Sequence, residues 1–464
     1  MTAAEATILQ PLRLEASFDL LDLHRFKPHR YPHLLQTVSR AAGAQAYDIL
    51  FAFPGDTLQL NGTGIRFISA SSAVPECGDT FLDTFNSWWR RERRDHASSD
   101  LPFCGGWFLY LSYELCAEIE PVLSSKIPRS AGLIAMATRF RTAVVYDHSA
   151  RVFYCIGEPG TEELLKQIHQ DIALAQQSRT PSVSTLPIDI KHVEQESPQR
   201  YMDSVVKIKR YIREGDIFQA NLSRGWRIDT WRSPVAADLY SRLRTHNPAP
   251  FAGLSWFDDF TLLSSSPERL LKIRGGVAET RPIAGTRPRG FRQGEDEANL
   301  RELISHPKER AEHIMLLDLE RNDLGRVCKP GSIHVNELMA LESYAHVHHI
   351  VSNIRGELRA GVEPGEAIKA VFPGGTITGC PKIRCMEILA ELEERPRGPY
   401  TGSIGYVNLN CDMDLNILIR TIMIEKTGIS LRAGAGIVAD SEPARELEET
   451  QAKAKGMLHA LGIS

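Results

Sequence analysis

Through the first 180 residues, short apolar blocks alternate with turn formers. Residues 47–53, 106–113 and 142–146 are such blocks and are predicted as strands. At 197–215 the period changes. Ser197 can cap a helix and Pro198 fits its first turn. Tyr201, Val205, Ile208 and Ile212 recur on one face, and Gly215 ends the helix. Residues 216–226 return to a strand pattern. Beyond them, helical and strand patterns mix without regular alternation. That predicts an α+β layered architecture with largely antiparallel sheets rather than a doubly wound one. No internal repeat is visible. A polar stretch at 176–185 has the make-up of a linker or long loop and suggests an N-terminal lobe over 1–180 and a second domain over 190–464.

A chain of 464 residues is long enough for two domains, or for one large domain with a smaller lobe. Its 42% hydrophobic and 24% charged residues suit a globular protein, and a net charge of -4 without basic runs points away from nucleic acid. No apolar stretch approaches a membrane span, and the first residues lack a signal-peptide pattern. The eight cysteines form no Cys-x-x-Cys pair and have no histidine at zinc-ligand spacing, so they read as reduced thiols of a cytoplasmic protein. There is no phosphate-binding glycine loop, so no nucleotide cofactor is indicated.

The chemistry concentrates in the second half. Residues 307–317 read as a helix start with Glu309 and Glu312 on one face, and 441–450 start another with Glu446, Glu449 and Lys453 aligned. Spacing alone favours two solvated first turns, stabilised by the helix dipole. If the two faces meet, four carboxylates need a cation between them, and an all-oxygen set suits Mg²⁺. The turn 372–382, rich in Gly and Thr and leading into a helix, offers backbone N–H groups to a carboxylate. Gly434 and Gly436 would let backbone approach an anion, or merely make a tight strand turn. Arg420 stands in the apolar run 415–424, where a guanidinium needs an anionic partner. His346, His348 and His349 lack the spacing of a helical zinc site. Glu268, in Ser264-Ser265-Ser266-Pro267-Glu268-Arg269, is either an acid/base group or half of a salt bridge.

Taken in order, these segments resemble the chorismate-utilising enzymes, which include anthranilate synthase component I, aminodeoxychorismate synthase component I, isochorismate synthase and salicylate synthase. The likeness covers roughly 195–460. It rests on Ser266-Pro267-Glu268-Arg269, on Arg281-Pro282-Ile283-Ala284-Gly285-Thr286-Arg287, on Asp318-Leu319-Glu320-Arg321-Asn322-Asp323, and on 372–382, 419–421 and 433–441. It implies that family's fold, two large mostly antiparallel sheets packed together and flanked by helices, with the N-terminal lobe interwoven. It also implies roles. Glu312 and Glu449 would ligate Mg²⁺, with Glu309 and Glu446 supporting it through water. The metal and the amides near Thr376 would bind the ring carboxylate of chorismate. Tyr406, Arg420, the amides at Gly434–Gly436 and Lys453 would hold the enolpyruvyl carboxylate. Glu268 would protonate the departing C4 hydroxyl, with His349 near the ring.

Gln219 stands where the isochorismate and salicylate branches have a water-activating lysine. An amide cannot be that base, so the resemblance implies ammonia as nucleophile. Phe218-Gln219-Ala220-Asn221-Leu222, the 372–379 turn and 400–406 look most like aminodeoxychorismate synthase. Ala284 departs from that branch, whose better-known members carry a nucleophilic lysine there; alanine is the anthranilate synthase residue. The predicted activity is amination of chorismate to 4-amino-4-deoxychorismate, with anthranilate synthesis as the alternative. A non-catalytic paralogue would have lost Glu268 or a metal glutamate, and both are present. No Gly-x-Cys-x-Gly elbow of a glutaminase occurs, so ammonia would come from solution or from a separate glutamine amidotransferase subunit. Family N-terminal lobes often bind tryptophan. Thr37, Pro250 and Phe251 match the walls of that pocket, although Leu34-Leu35-Gln36-Thr37 lacks its carboxylate.

Overall fold

A computed structural model describes residues 7–12, 14, 18–39, 45–69, 75–94, 100–128, 132–178, 188–289, 294, 296–297, 301, 307–343, 347–393, 395–426 and 428–463. The organising elements are two strands of 15 residues each, Tyr47–Asn61 and Leu133–Asp147, paired antiparallel along almost their whole length. Their ladder slips between Pro54 and Thr57, next to Phe53 with φ of 57°. A proline and a left-handed residue cannot sustain a flat ladder, so the ribbon bends there and serves two sheets at once.

Beyond one half of the ribbon, on the side of Tyr47–Asn61, a leaf runs through His33–Gln36, Phe251–Trp256, Phe260–Ser266, Thr421–Glu425 and Gly428–Ile437 to Gln219–Thr230. Beyond the other half, on the side of Leu133–Asp147, a second leaf runs through Gly106–Leu111, Ser403–Asn408, Met413–Asn416, Arg269–Arg274 and Val277–Arg281 to Val347–Glu357. The expected pair of antiparallel sheets is therefore one hydrogen-bonded sheet of 21 strands among the described residues, folded into two leaves. An aromatic cluster of Phe51, Phe103, Phe108 and Phe140, with Leu262 and Ile404, fills the space between the leaves. Helices cover their outer faces, Phe81–Glu92, Pro307–Gly325 and Pro364–Val371 on one and Ala236–His246 and Pro443–Leu461 on the other.

Local patterns behaved as read. The helix Pro198–Glu214 has the Ser197 side chain accepting from the Arg200 N–H and Gly215 at φ 85°. The strands predicted at 47–53 and 142–146 are the starting and closing portions of the two long strands. The polar stretch at 176–185 opens inside the helix Glu162–Gln177, and 179–187 lie outside the described residues. Strands from the first half pair directly with strands from the second, His33–Gln36 with Phe251–Trp256 and Gly106–Leu111 with Ser403–Asn408. No helix among the described residues is long and apolar enough to cross a membrane.

Candidate active site

Glu268 occupies the turn between Phe260–Ser266 and Arg269–Arg274, and its backbone is pinned on both sides. Its N–H donates to Ser266 Oγ at 3.2 Å, and its carbonyl accepts from the Ile417 N–H at 3.0 Å. The residue is only 5% exposed. Burial pushes its pKa up to about 7, against the opposing pull of Thr376, the Ile283 amide, Lys453 and Arg420. Thr376 lies near, yet no hydrogen bond of normal geometry satisfies Glu268 Oε1 or the Thr376 hydroxyl. An acid that keeps its proton toward neutrality, with its own Oε1 and the adjacent Thr376 hydroxyl unsatisfied, is equipped to meet a substrate oxygen.

Arg420 faces this acid. It sits at the bend before Thr421–Glu425 with φ of 51°, a strained conformation for a non-glycine residue. Among the described residues no carboxylate lies within ion-pair distance of its guanidinium. Burial depresses its pKa, and Glu268 partly offsets that. A half-buried guanidinium with no carboxylate partner is a site for an anion. His349 lies against both Arg420 and the Gly285 backbone. Burial and Arg420 drive its pKa down to about 3, so its imidazole is neutral. His348 instead bonds Asp296 at 2.8 Å and Ser343 at 2.7 Å, a structural arrangement, and His346 lies outside the described residues.

Gln219–Thr230 and Gly428–Ile437 form the floor. Their register sets Asn221 opposite Gly436 and Ser223 opposite Gly434. A Cβ on Gly434 would fall 2.6 Å from the Tyr400 hydroxyl, 2.7 Å from Asn221 Oδ1 and 2.7 Å from the Leu222 carbonyl. One on Gly436 would fall 2.4 Å from Gln219 Nε2. The glycines are there because Tyr400, Asn221, Leu222 and Gln219 already fill the space. Gln219 Oε1 and Asn221 Oδ1 are buried without hydrogen-bond partners. Lys453 donates to the Gly434 carbonyl at 3.0 Å and pairs with Glu449 at 2.7 Å.

Tyr406 is not part of this site. It lies on Ser403–Asn408 opposite Asp414, stacks edge-on with Phe103 at 5.8 Å, and lines a different cavity. The tyrosine that reaches the glycine strand is Tyr400, just ahead of Ser403–Asn408. Tyr406 is fixed by the register of that strand with Met413–Asn416, which turns its ring away from Arg420. The cavity that it lines, about 890 Å³, also has Thr37, Pro250 and Phe251 in its walls. Those three are therefore together in space, in a cavity that Glu268 itself does not line.

The carboxylate pairs differ. Glu446 is 9% exposed at the start of Pro443–Leu461, and Glu449, one turn on, is exposed. Both act on the buried Tyr201 hydroxyl, which lacks a hydrogen-bond partner and whose pKa is raised by burial first and by these charges next. Glu312 is half-buried on Pro307–Gly325, and the Glu309 side chain lies outside the described residues. Among the described residues no three His, Cys, Asp or Glu converge as a metal set. Carboxylate oxygens such as those of Glu312, Glu446 and Glu449 are hard donors of the type that Mg²⁺ takes. Ala284 pairs with Ile350 across the ladder, and its side chain is also outside the described residues.

One feature had no sequence signal beyond an ordinary i, i+4 pair. Arg397 and Glu393 are both buried, with Nε to Oε2 at 2.7 Å and Nη2 to Oε1 at 2.8 Å. Arg397 also donates to the carbonyls of Ile377 and Asn221 and to Thr401 Oγ1. It thereby ties the 375–377 turn to the site floor.

The chain matches the family described as chorismate binding enzyme over residues 67–459. It is 44% identical over 365 residues to an anthranilate synthase component I-like protein of Synechocystis sp., covering 78% of this chain and 73% of that one. It is 40% identical over 394 residues to aminodeoxychorismate synthase component 1 of Bacillus subtilis, covering 82% of each. Among solved structures it resembles anthranilate synthase component I of Streptococcus pneumoniae, with a TM-score of 0.77, 28% identity and coverage of 96% and 95%.

Proposed function

This chain belongs to the family of chorismate binding enzymes, and on that footing we propose that it aminates chorismate with ammonia to 4-amino-4-deoxychorismate. The observation that carries the reading is the pairing of a buried acid with an amide. Glu268 holds its proton into the neutral range, and Gln219, not a base, stands over Gly436. An acid is needed because hydroxide is a poor leaving group. An amide suits a nucleophile that is already basic and needs positioning rather than deprotonation.

Glu268 gives its proton to the C4 hydroxyl, which leaves as water. With a methyl at position 284 no covalent lysine adduct can form. Ammonia therefore adds at C2 as the C4 oxygen departs and the ring double bonds shift, and a second ammonia then adds at C4 as the first nitrogen leaves C2 as ammonia. Arg420, Lys453 and the amides around Gly434 and Gly436 hold the enolpyruvyl carboxylate, with Tyr400 taking the place expected of Tyr406. Thr376 and its neighbouring amides hold the ring carboxylate. Glu312 and Glu449, supported by Glu309 and Glu446, would hold Mg²⁺, which when bound neutralises that carboxylate. His349, being neutral, serves as a hydrogen-bonding wall. Ammonia comes from solution or from a separate glutamine amidotransferase subunit.

Ala284 favours a second reading, anthranilate synthesis, in which C2 attack is followed by loss of pyruvate. Incubation with chorismate, Mg²⁺ and an ammonium salt, with and without a lyase specific for aminodeoxychorismate, separates them. Fluorescent anthranilate formed without the lyase would sink the first reading.

A further inference from the structure

Arg269 follows Glu268 in the chain and points to the opposite side of the strand, into the wall of the 890 Å³ cavity. Its guanidinium is clamped. Nε donates to Asp414 Oδ1 at 2.8 Å and Nη2 to Asp414 Oδ2 at 3.0 Å, and the group lies 4.9 Å from the Phe251 ring centroid. This two-point fork is the most directional ion pair that a protein makes. It stands where the ladder is weakest. The pairing of Arg269–Arg274 with Met413–Asn416 slips between Arg269 and Leu271, and its pairing with Val277–Arg281 slips in the same stretch. Arg269 keeps its partners Arg281 and Asn416, and the irregular stretch begins directly after it. The side-chain fork adds a further attachment at this first residue, next to the acid.

We propose that Arg269 and Asp414 are positioning residues for Glu268: the fork fixes the start of the strand, keeps the carboxyl sealed from water, and puts the large cavity one residue away from the acid. This rests on the reading of Glu268 as the proton donor. The charged groups facing Glu268 are Lys453 from Pro443–Leu461, Arg420 from the bend before Thr421–Glu425, and Glu320 from Pro307–Gly325. Those facing Arg269 are Asp414, Glu279 and Tyr406. Loosening the fork leaves Lys453, Arg420 and Glu320, the charges that face Glu268, in place. What changes is water access, and water lowers the proton affinity of a buried carboxyl.

The test follows chorismate disappearance, whatever the product, as a function of pH for the full chain with Mg²⁺ and ammonium. Arg269→Lys keeps the charge and loses the fork, and Asp414→Asn loses it from the other side. Each variant is expected to lower kcat at least tenfold with KM for chorismate unchanged. Each should move the alkaline limb of the profile down by half a pH unit or more, and the double variant should be no worse than either single one. Arg269→Gln supplies a further arm if one variant melts early. An alkaline limb that stays in place, or additive losses, would overturn the clamp while leaving the acid intact. A wild-type profile with no alkaline limb overturns the acid reading, and the clamp with it.

Discussion

Arg397 and Glu393 form a doubly bonded ion pair with neither group reaching solvent, at 2.7 and 2.8 Å, in the layer beneath the candidate site. Glu393 also accepts from the Ser223 N–H and hydroxyl, and Arg432 donates to that hydroxyl. Both carboxylate oxygens of Glu393 therefore have donors. Removing one partner strands the other, so Arg397→Met is expected to cost about 3–5 kcal/mol of stability. Urea denaturation of this variant and of wild type measures it. A loss below about 1 kcal/mol would mean that the pair is solvated like a surface bridge.

Glu268→Gln should leave chorismate binding nearly unchanged and lower turnover by about 10²–10⁴-fold, the usual worth of a positioned general acid. Isothermal titration and turnover on the same preparation separate the two effects. Wild-type-like turnover would remove Glu268 from the mechanism.

The same residue makes stability depend on pH. Its folded pKa of about 7 lies above the ordinary 4.5. Between those values the folded state holds a proton that the unfolded chain has lost, so stability falls as pH rises from 4.5 to 7, by up to about 1.4 kcal/mol per unit. The contribution is fully present below 4.5 and gone above 7. Glu268→Gln should flatten that part of the curve in urea melts at pH 5 and pH 7. Parallel curves would contradict the sealed carboxyl.

The two glycines of the floor should not tolerate alanine equally. At Gly434 a Cβ meets the Leu222 carbonyl at 2.7 Å, a backbone atom that cannot yield. At Gly436 it meets the end of the Gln219 side chain, which can swing. Gly434→Ala is therefore expected to lose at least tenfold more kcat/KM for chorismate than Gly436→Ala, and equal losses would place the substrate elsewhere.

Chelation with EDTA should abolish turnover and added Mg²⁺ restore it, while Glu312→Gln and Glu449→Gln should each be inactive at any Mg²⁺ concentration. Full activity in either variant would refute the carboxylate assignment. A shift in the thermal melt with Mg²⁺, lost in Glu449→Gln, reads the same site without activity.

Sequence patterns alone gave the antiparallel α+β class, the helices that start at Pro198, Pro307 and Pro443, and the motifs that hold Glu268, Arg420, Gln219 and the Gly434–Gly436 floor. These are local signals, carried by period, caps and short ordered motifs. Other features needed pairings between residues hundreds of positions apart. Which tyrosine reaches the floor depended on the register of Ser403–Asn408 with Met413–Asn416, because a strand's faces are assigned only by its neighbours. The burial of Glu393 and Arg397 is set by the strands and turns that cover them, not by their own spacing. The slip beside Pro54, which bends one ribbon into two leaves, is marked in the chain by a proline. What it divides is set by partners on both sides of the ribbon. Chemical groups are written in sequence; whether they face one another, and whether water reaches them, is a property of the packed sheet.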